Sequence, residues 1–339
     1  MPRRRWEIPD REATPADVYQ NRRKFLRTLG GASAAALLPG CGSESILQPT
    51  KSLEAPPQGP SEGGADSDPQ LNRPDQNLNF DEALYPAPTN PVFSTLDRPL
   101  TNPEVAASWN NFYEFTSTKD VAPLVGKFKP RPWTVEVAGL VRQPLTYDFD
   151  HLVRLLPLEE RLYRFRCVEA WAMAVPWTGF PMKAFIDLVQ PLSAARYVKM
   201  TTFLRPQESP GQWIDPESPW PYTEGLTMAE ATNELTLIAT GIYGGELPKQ
   251  HGAPIRLVVP WKYGYKSIKS IVRIEFTSAQ PRTFWNELAP HEYGFQSNVD
   301  PKVPHPRWSQ ATERMLGTNK IRNTLLYNGY QEYVAHLYG

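Results

Sequence analysis

The sequence predicts an α+β fold, mixed sheets with short helices, and three observations predict it. Apolar and aromatic residues rise from Phe80 and stay dense to the C-terminus, so residues 80–339 can build a large core. Strand-like alternation recurs in short runs, without the regular strand-helix repeat of a doubly wound sheet. Proline (36) and glycine (21) are frequent enough to cut the chain into short elements.

Charge and cysteine content exclude some classes. Lys plus Arg equals Asp plus Glu at 36 each, so no basic surplus argues for nucleic acid. The first 40 residues hold eight of the bases and four of the acids, which leaves the remainder mildly acidic. Two cysteines, one of them in the leader, supply no disulfide framework. There is no internal repeat.

Residues 1–41 read as a signal region. Arg22-Arg23-Lys24-Phe25-Leu26-Arg27 precedes a short Gly/Ala/Leu stretch, too short to span a bilayer but suited to a signal peptide. The pattern approximates the twin-arginine export signal, with Asn21 where Ser or Thr is usual. That route carries folded cargo, which suits a protein loaded with a cofactor before export to the periplasm. Leu38-Pro39-Gly40-Cys41 resembles a lipobox with an atypical proline, so a lipid anchor at Cys41 and simple cleavage nearby both stay open. Residues 42–79, rich in Pro, Gly, Ser and Asp, read as a flexible tether.

From Phe80 the elements follow in order. Trp109-Asn110-Asn111-Phe112-Tyr113-Glu114-Phe115 is a polar-aromatic cluster, either a packed loop or a pocket wall. Residues 133–140 alternate like a half-buried strand. Residues 146–156 predict a helix capped by Thr146 or Asp148. A strand then delivers Cys167 to its end, and the breakers Pro176, Gly179 and Pro181 predict a turn into a helix at 182–189. A strand over 196–203, a Pro/Trp-rich loop over 205–222, a helix over 224–233 and a strand over 235–240 follow. His251 and Arg256 flank a turn into an apolar strand. Residues 261–270, with Lys266, Ser267 and Lys269, read either as a charged hairpin surface or as a phosphate-holding turn. Residues 285–308 read as irregular. Aromatic loops at 219–222 and 261–265 are expected to border any opening.

Cys167 carries the chemistry. On its own a single cysteine behaves as a small buried hydrophobe. Arg164 and Arg166 beside it predict a lowered thiol pKa, hence a thiolate able to attack electrophiles or bind a soft metal.

Six stretches change that balance: Asn110 to Phe115, Arg166-Cys-Val-Glu-Ala-Trp171, Trp177-Thr-Gly-Phe-Pro181, Gly252-Ala-Pro-Ile-Arg256, Val259 to Lys269, and His305-Pro-Arg-Trp-Ser-Gln-Ala-Thr-Glu-Arg314. In this order they closely resemble the family of periplasmic protein-methionine-sulfoxide reductase catalytic subunits, molybdenum enzymes of the sulfite-oxidase superfamily. The resemblance implies a sulfite-oxidase-type molybdopterin-binding fold with one molybdenum and one pterin. It makes Cys167 the metal's protein thiolate and places pterin contacts at Asn110, Tyr113, Glu114, Thr202, His251, Arg256, Ser267, Ile268 and Lys269. Arg256 and Lys269 would be the phosphate's partners, and His251 stands where the family pattern admits Asn. The implied reaction reduces methionine sulfoxide in oxidised periplasmic proteins, with electrons from the quinone pool through a membrane haem b subunit. Inside the superfamily the alternatives are a sulfite dehydrogenase, disfavoured by Glu169 beside the cysteine, or a reductase of other small S- or N-oxides. A Cys167–His251 hydrolase and a cofactor-free binding module are the alternatives outside it.

Overall fold

The computed structural model describes residues 83–339. The expectations for the signal region, Cys41 and the whole tether lie outside the described residues. Helix α1 (Pro103–Ser108) starts where Asn102 accepts from the N–H groups of Glu104 and Val105, with proline at its first position. Strand β1 (Thr134–Gly139) buries Val135 and Val137. Its partner β2 (Leu145–Asp148) takes residues expected to be helical, because pairing with β1 buries Tyr147. Helix α2 (Phe149–Leu155) therefore begins three residues late, capped by Asp148, which accepts from the His151 N–H.

Strand β3 (Glu159–Arg166) ends one residue before Cys167, as its alternation predicts. The expectation that Pro176 and Gly179 break the chain is corrected, since both lie inside β4 (Trp171–Pro181), an almost wholly buried strand. A register shift between Thr178 and Gly179 accommodates them. Gly179 is required there, because a Cβ would sit 2.1 Å from the Ile238 carbonyl oxygen of the neighbouring strand. Helix α3 (Met182–Val189) buries Met182, Phe185, Ile186 and Val189, the i, i+3, i+4, i+7 stripe of an amphipathic helix.

Strand β5 (Tyr197–Thr202) lies within the strand expected over 196–203. The 205–222 loop contains one short helix, α4 (Pro210–Ile214). The helix expected over 224–233 is mostly replaced by β6 (Thr223–Thr227), and a Thr227–Glu230 capping box starts the brief α5 (Met228–Ala231). Then come β7 (Leu237–Ile242), two residues later than expected, β8 (Gly245–Glu246), β9 (Arg256–Val258), β10 (Ile271–Thr277), α6 (Phe284–Leu288), β11 (Thr312–Met315), β12 (Ile321–Asn323) and α7 (Gln331–Val334). Between α6 and β11 the chain is largely irregular, as its composition suggests.

The strands form two sheets. One runs β2-β1-β10-β5-β6, with β1 and β10 parallel and the other pairs antiparallel. The seven-stranded sheet runs β12-β11-β4-β7-β8, with β3 also on β4 and β9 also on β7. Phe115, Phe128, Trp133 and Phe203 pack with centroids 4.9–6.3 Å apart. Burying each phenylalanine contributes about 2–3 kcal/mol.

Buried ion pairs complete the interior. Glu313 pairs with Arg98 at 2.5 Å and with Arg166 at 3.3 Å, and Lys266 pairs with Glu224 at 2.6 Å. Lys262 pairs with Glu230. The 261–270 stretch is thus no charged surface hairpin, since Lys262 and Lys266 find acids inside the protein. Such pairs add little net stability while intact, but losing one partner costs about 3–5 kcal/mol.

Candidate active site around Cys167

Strand β3 ends at Arg166, and a tight turn over Cys167–Ala170 joins it to β4. The Cys167 N–H donates to the Trp171 carbonyl at 2.9 Å and the Ala170 N–H to the Cys167 carbonyl at 3.1 Å. Ala170 takes φ 64°, a left-handed conformation unusual for a residue with a Cβ. Inside this turn the Glu169 N–H points at the sulfur, 3.4 Å from Sγ.

Polar side chains surround the sulfur. Asn111 Nδ2 donates to Sγ at 3.4 Å, while its Oδ1 accepts from Lys119 Nζ at 2.6 Å. Lys119 also pairs with Glu169 at 2.7 Å, and Trp171 Nε1 donates to the same carboxylate at 3.1 Å. Burial alone would raise the Glu169 pKa, but Lys119 outweighs it, helped by Trp171 and Asn111, and the carboxyl stays below its ordinary range.

The expected lowering of the thiol pKa by Arg164 and Arg166 is corrected. Arg164 turns away to Asp97 at 2.9 Å, and Arg166 spends its charge on Glu313. Burial, with Glu169 adding repulsion, pushes the Cys167 thiol up to about 12. A buried thiol with so high a pKa is a poor free nucleophile, but a coordinated metal deprotonates it outright. His251, the partner a hydrolase would need, packs edge-on against Trp177 at 6.4 Å and makes no hydrogen bond to Cys167.

Two cations, Arg256 and Lys269, act on one another, and Lys269 also feels the charge of the sulfur. Arg256 is 2% exposed, and its guanidinium donates to the backbone carbonyls of His251 at 2.8 Å and Ser267 at 3.1 Å. It lies over the Trp177 ring at 4.8 Å. Lys269 Nζ sits 5.6 Å from the Phe112 ring centroid. Gly252, at φ 98°, makes room for its stem, because a Cβ there would fall 2.6 Å from Lys269 Cβ. Burial and Arg256 depress the Lys269 pKa, while Glu114 and Cys167 act on it in the opposite direction. Burial pushes Glu114 up, and His251 falls to about 3 through burial and the two cations, so its imidazole is neutral.

Among the described residues, no carboxylate forms an ion pair with Arg256 or Lys269. Two inward cations without a matching acid are costly unless an anion arrives from outside. A pterin phosphate is such an anion, so the residues present fit that group.

The other expected contacts fall into two sets. Ile268 and Ser267 are buried on the Arg256 side, with Ser267 Oγ accepting from the Val259 N–H. Thr202 Oγ1 donates to the Ser270 carbonyl at 3.0 Å, which ties the end of β5 to the start of β10 within the five-stranded sheet. Tyr113 stacks edge-on against Trp285 at 5.0 Å, and α4 holds the segment behind it through Gln212 N–H to the Glu114 carbonyl. Asn110 instead turns its amide to the Ala107 carbonyl at 2.8 Å, at the end of α1, and the neighbouring Asn111 is the side chain that reaches the sulfur. The 219–222 and 261–265 loops do meet, Tyr222 Oη donating to the Tyr265 carbonyl, but Trp261 is fully buried and borders no opening. Sequence reasoning missed Asn111 and Lys119; Asn111 lay inside a quoted motif, whereas nothing local marks Lys119.

Comparison with known proteins now defines the class. Residues 122–285 match the family described as oxidoreductase molybdopterin binding domain, so fold and site belong to a molybdopterin-dependent oxidoreductase. The chain is 44% identical over 337 residues to the protein-methionine-sulfoxide reductase catalytic subunit MsrP of Burkholderia mallei, covering 98% of this chain and 93% of that one. It is 43% identical over 343 residues to the protein of the same name from Ralstonia nicotianae, covering 98% and 94%. The chain belongs to this family of protein-methionine-sulfoxide reductase catalytic subunits. The sulfane dehydrogenase SoxCD of Paracoccus pantotrophus is a distant structural neighbour, with 14% identity and a TM-score of 0.39 over 63% of this chain and 60% of that one.

Proposed function

We propose that this chain reduces methionine sulfoxide in oxidised proteins, with Cys167 as the protein ligand of molybdenum. The observation that carries the reading is the pairing of one buried thiol with two cations, buried Arg256 and half-buried Lys269, that have no carboxylate in ion-pair contact among the described residues. Among the described residues no group of three His, Cys, Asp or Glu could hold a metal, so the pterin would supply further ligands. Molybdenum held by a pterin dithiolene supplies two-electron oxygen-atom transfer when bound. The net reaction consumes two electrons and two protons, converting the sulfoxide to a thioether and water.

The chain's own residues bind and orient. Arg256 and Lys269 would hold the pterin phosphate, with Ser267, Ile268, Thr202 and neutral His251 beside them and Asn110, Tyr113 and Glu114 on the opposite side. Asn111 and the Glu169 N–H hold the sulfur in place. The Glu169 carboxylate, whose Oε2 lies 3.8 Å from Sγ, opposes an anion such as sulfite and tolerates a neutral sulfoxide. The twin-arginine pattern supports a periplasmic site of action. A membrane haem b subunit passing electrons from the quinone pool, and attachment through Cys41 or the tether, complete the proposal. Among the described residues no helix is long and apolar enough to cross a membrane.

The test compares natively exported wild type with Cys167→Ser for molybdenum, pterin and methionine-sulfoxide turnover. About one molybdenum per chain with turnover in the wild type, and turnover lost in the variant, is the expected result. Folded wild-type protein without metal or pterin would sink the assignment.

A further inference from the structure

The turn that carries Cys167 is gripped from behind by the segment between α6 and β11. Trp308 Nε1 and Gln310 Nε2 both donate to the Val168 carbonyl, each at 2.7 Å. The Arg314 N–H donates to the Ala170 carbonyl at 2.9 Å. Gln310 is itself fixed, 1% exposed, with its Oε1 accepting from Arg166 at 2.8 Å. Arg166 in turn donates to the Cys167 carbonyl.

The Val168 carbonyl and the Glu169 N–H are the two ends of one peptide group. In a trans peptide they point in opposite directions. Two donors that hold the carbonyl toward Trp308 and Gln310 therefore aim the N–H the other way, and the atom it meets is Sγ at 3.4 Å. The same rotation without the clamp would cost the sulfur that hydrogen bond, since nothing in the turn itself engages the Val168 carbonyl.

We propose that Trp308 and Gln310 are positioning residues that set the metal-binding sulfur's N–H hydrogen bond through the Val168–Glu169 peptide, and so tune the reduction potential of the bound metal. A hydrogen bond to a coordinating thiolate draws electron density from the sulfur and favours the reduced metal. The inference rests on Cys167 being the metal ligand. It deepens that reading by giving a role to side chains more than 140 residues away in sequence.

The experiment uses the metal-loaded enzyme. Gln310→Met keeps the side chain's bulk and removes its donor, Trp308→Phe removes the other donor more gently, and Thr324→Val removes only an Arg166 contact at 3.3 Å as a control. Molybdenum content, the metal's midpoint potential, the g-values of its paramagnetic state and thermal melting are read for each. Both clamp variants are expected to retain molybdenum, to lower the midpoint potential and to shift the g-values, with a larger effect in the double variant and wild-type values in the control. Unchanged potential and g-values in metal-loaded Trp308→Phe and Gln310→Met, even with lower melting temperatures, would overturn the proposal and leave the clamp as packing. Failure of the underlying reading looks different, because Cys167→Ser would then keep the same metal signature as the wild type.

Discussion

At the scale of single residues, the site is a set of groups held in uncomfortable states. Lys269 is a half-buried ammonium with no acid in ion-pair contact among the described residues, so its charge costs the metal-free protein stability that a bound phosphate would restore. Lys269→Met should raise the stability of the metal-free protein by about 1–3 kcal/mol, seen as a higher urea midpoint, while preventing pterin retention. His251 gives the complementary prediction. Its pKa is about 3 in the folded chain and about 6.5 when unfolded, so between those values the unfolded state binds the extra proton. Stability should therefore fall as pH drops below about 6.5, with a slope approaching 1.4 kcal/mol per pH unit from this group. His251→Asn should flatten that slope in metal-free protein, which urea midpoints at pH 7 and pH 5 would reveal. Cys167, Arg256 and Lys269 were legible in the sequence because each sat inside a motif. The protonation state of the thiol was not, because neighbouring arginines in sequence found partners elsewhere in space.

At the scale of elements, alternation located β1 and β3, while α3 and β5 lie at the helix expected over 182–189 and the strand expected over 196–203. The readings that slipped share one cause. Residues 145–148 and 223–227 carry patterns compatible with a helix start, yet each is recruited as a strand by a neighbour in the five-stranded sheet. Pairing with a partner distant in sequence overrides local propensity and is invisible to it. Strand β4 shows the same effect, absorbing Pro176 and Gly179 because β3 and β7 hold it on both sides. Gly179→Ala should accordingly destabilise the fold by about 2–4 kcal/mol, since its methyl group meets a strand backbone that cannot give way. A denaturant midpoint lowered with unchanged slope would confirm a local clash; an unaffected midpoint would show that the bulge can shift.

At the scale of the whole molecule, the residues of the candidate site come from both sheets and from segments spread over residues 110–314. The buried pair Arg98–Glu313 fastens the beginning of the described chain to its end, directly beneath Arg166 and the cysteine turn. Strand β1 pairs with β10 in parallel, Glu136 opposite Arg273, and β4 pairs with β11, Trp171 opposite Arg314. These contacts set an order in time. A chain growing from its N-terminus has made Cys167 long before it has made the strand that flanks the turn or the residues that grip Val168. Pairings that distant in sequence also form slowly. The pocket therefore comes into existence only once almost every residue has been synthesised and folded, and a chain stopped before residue 314 would own the thiol without owning the site.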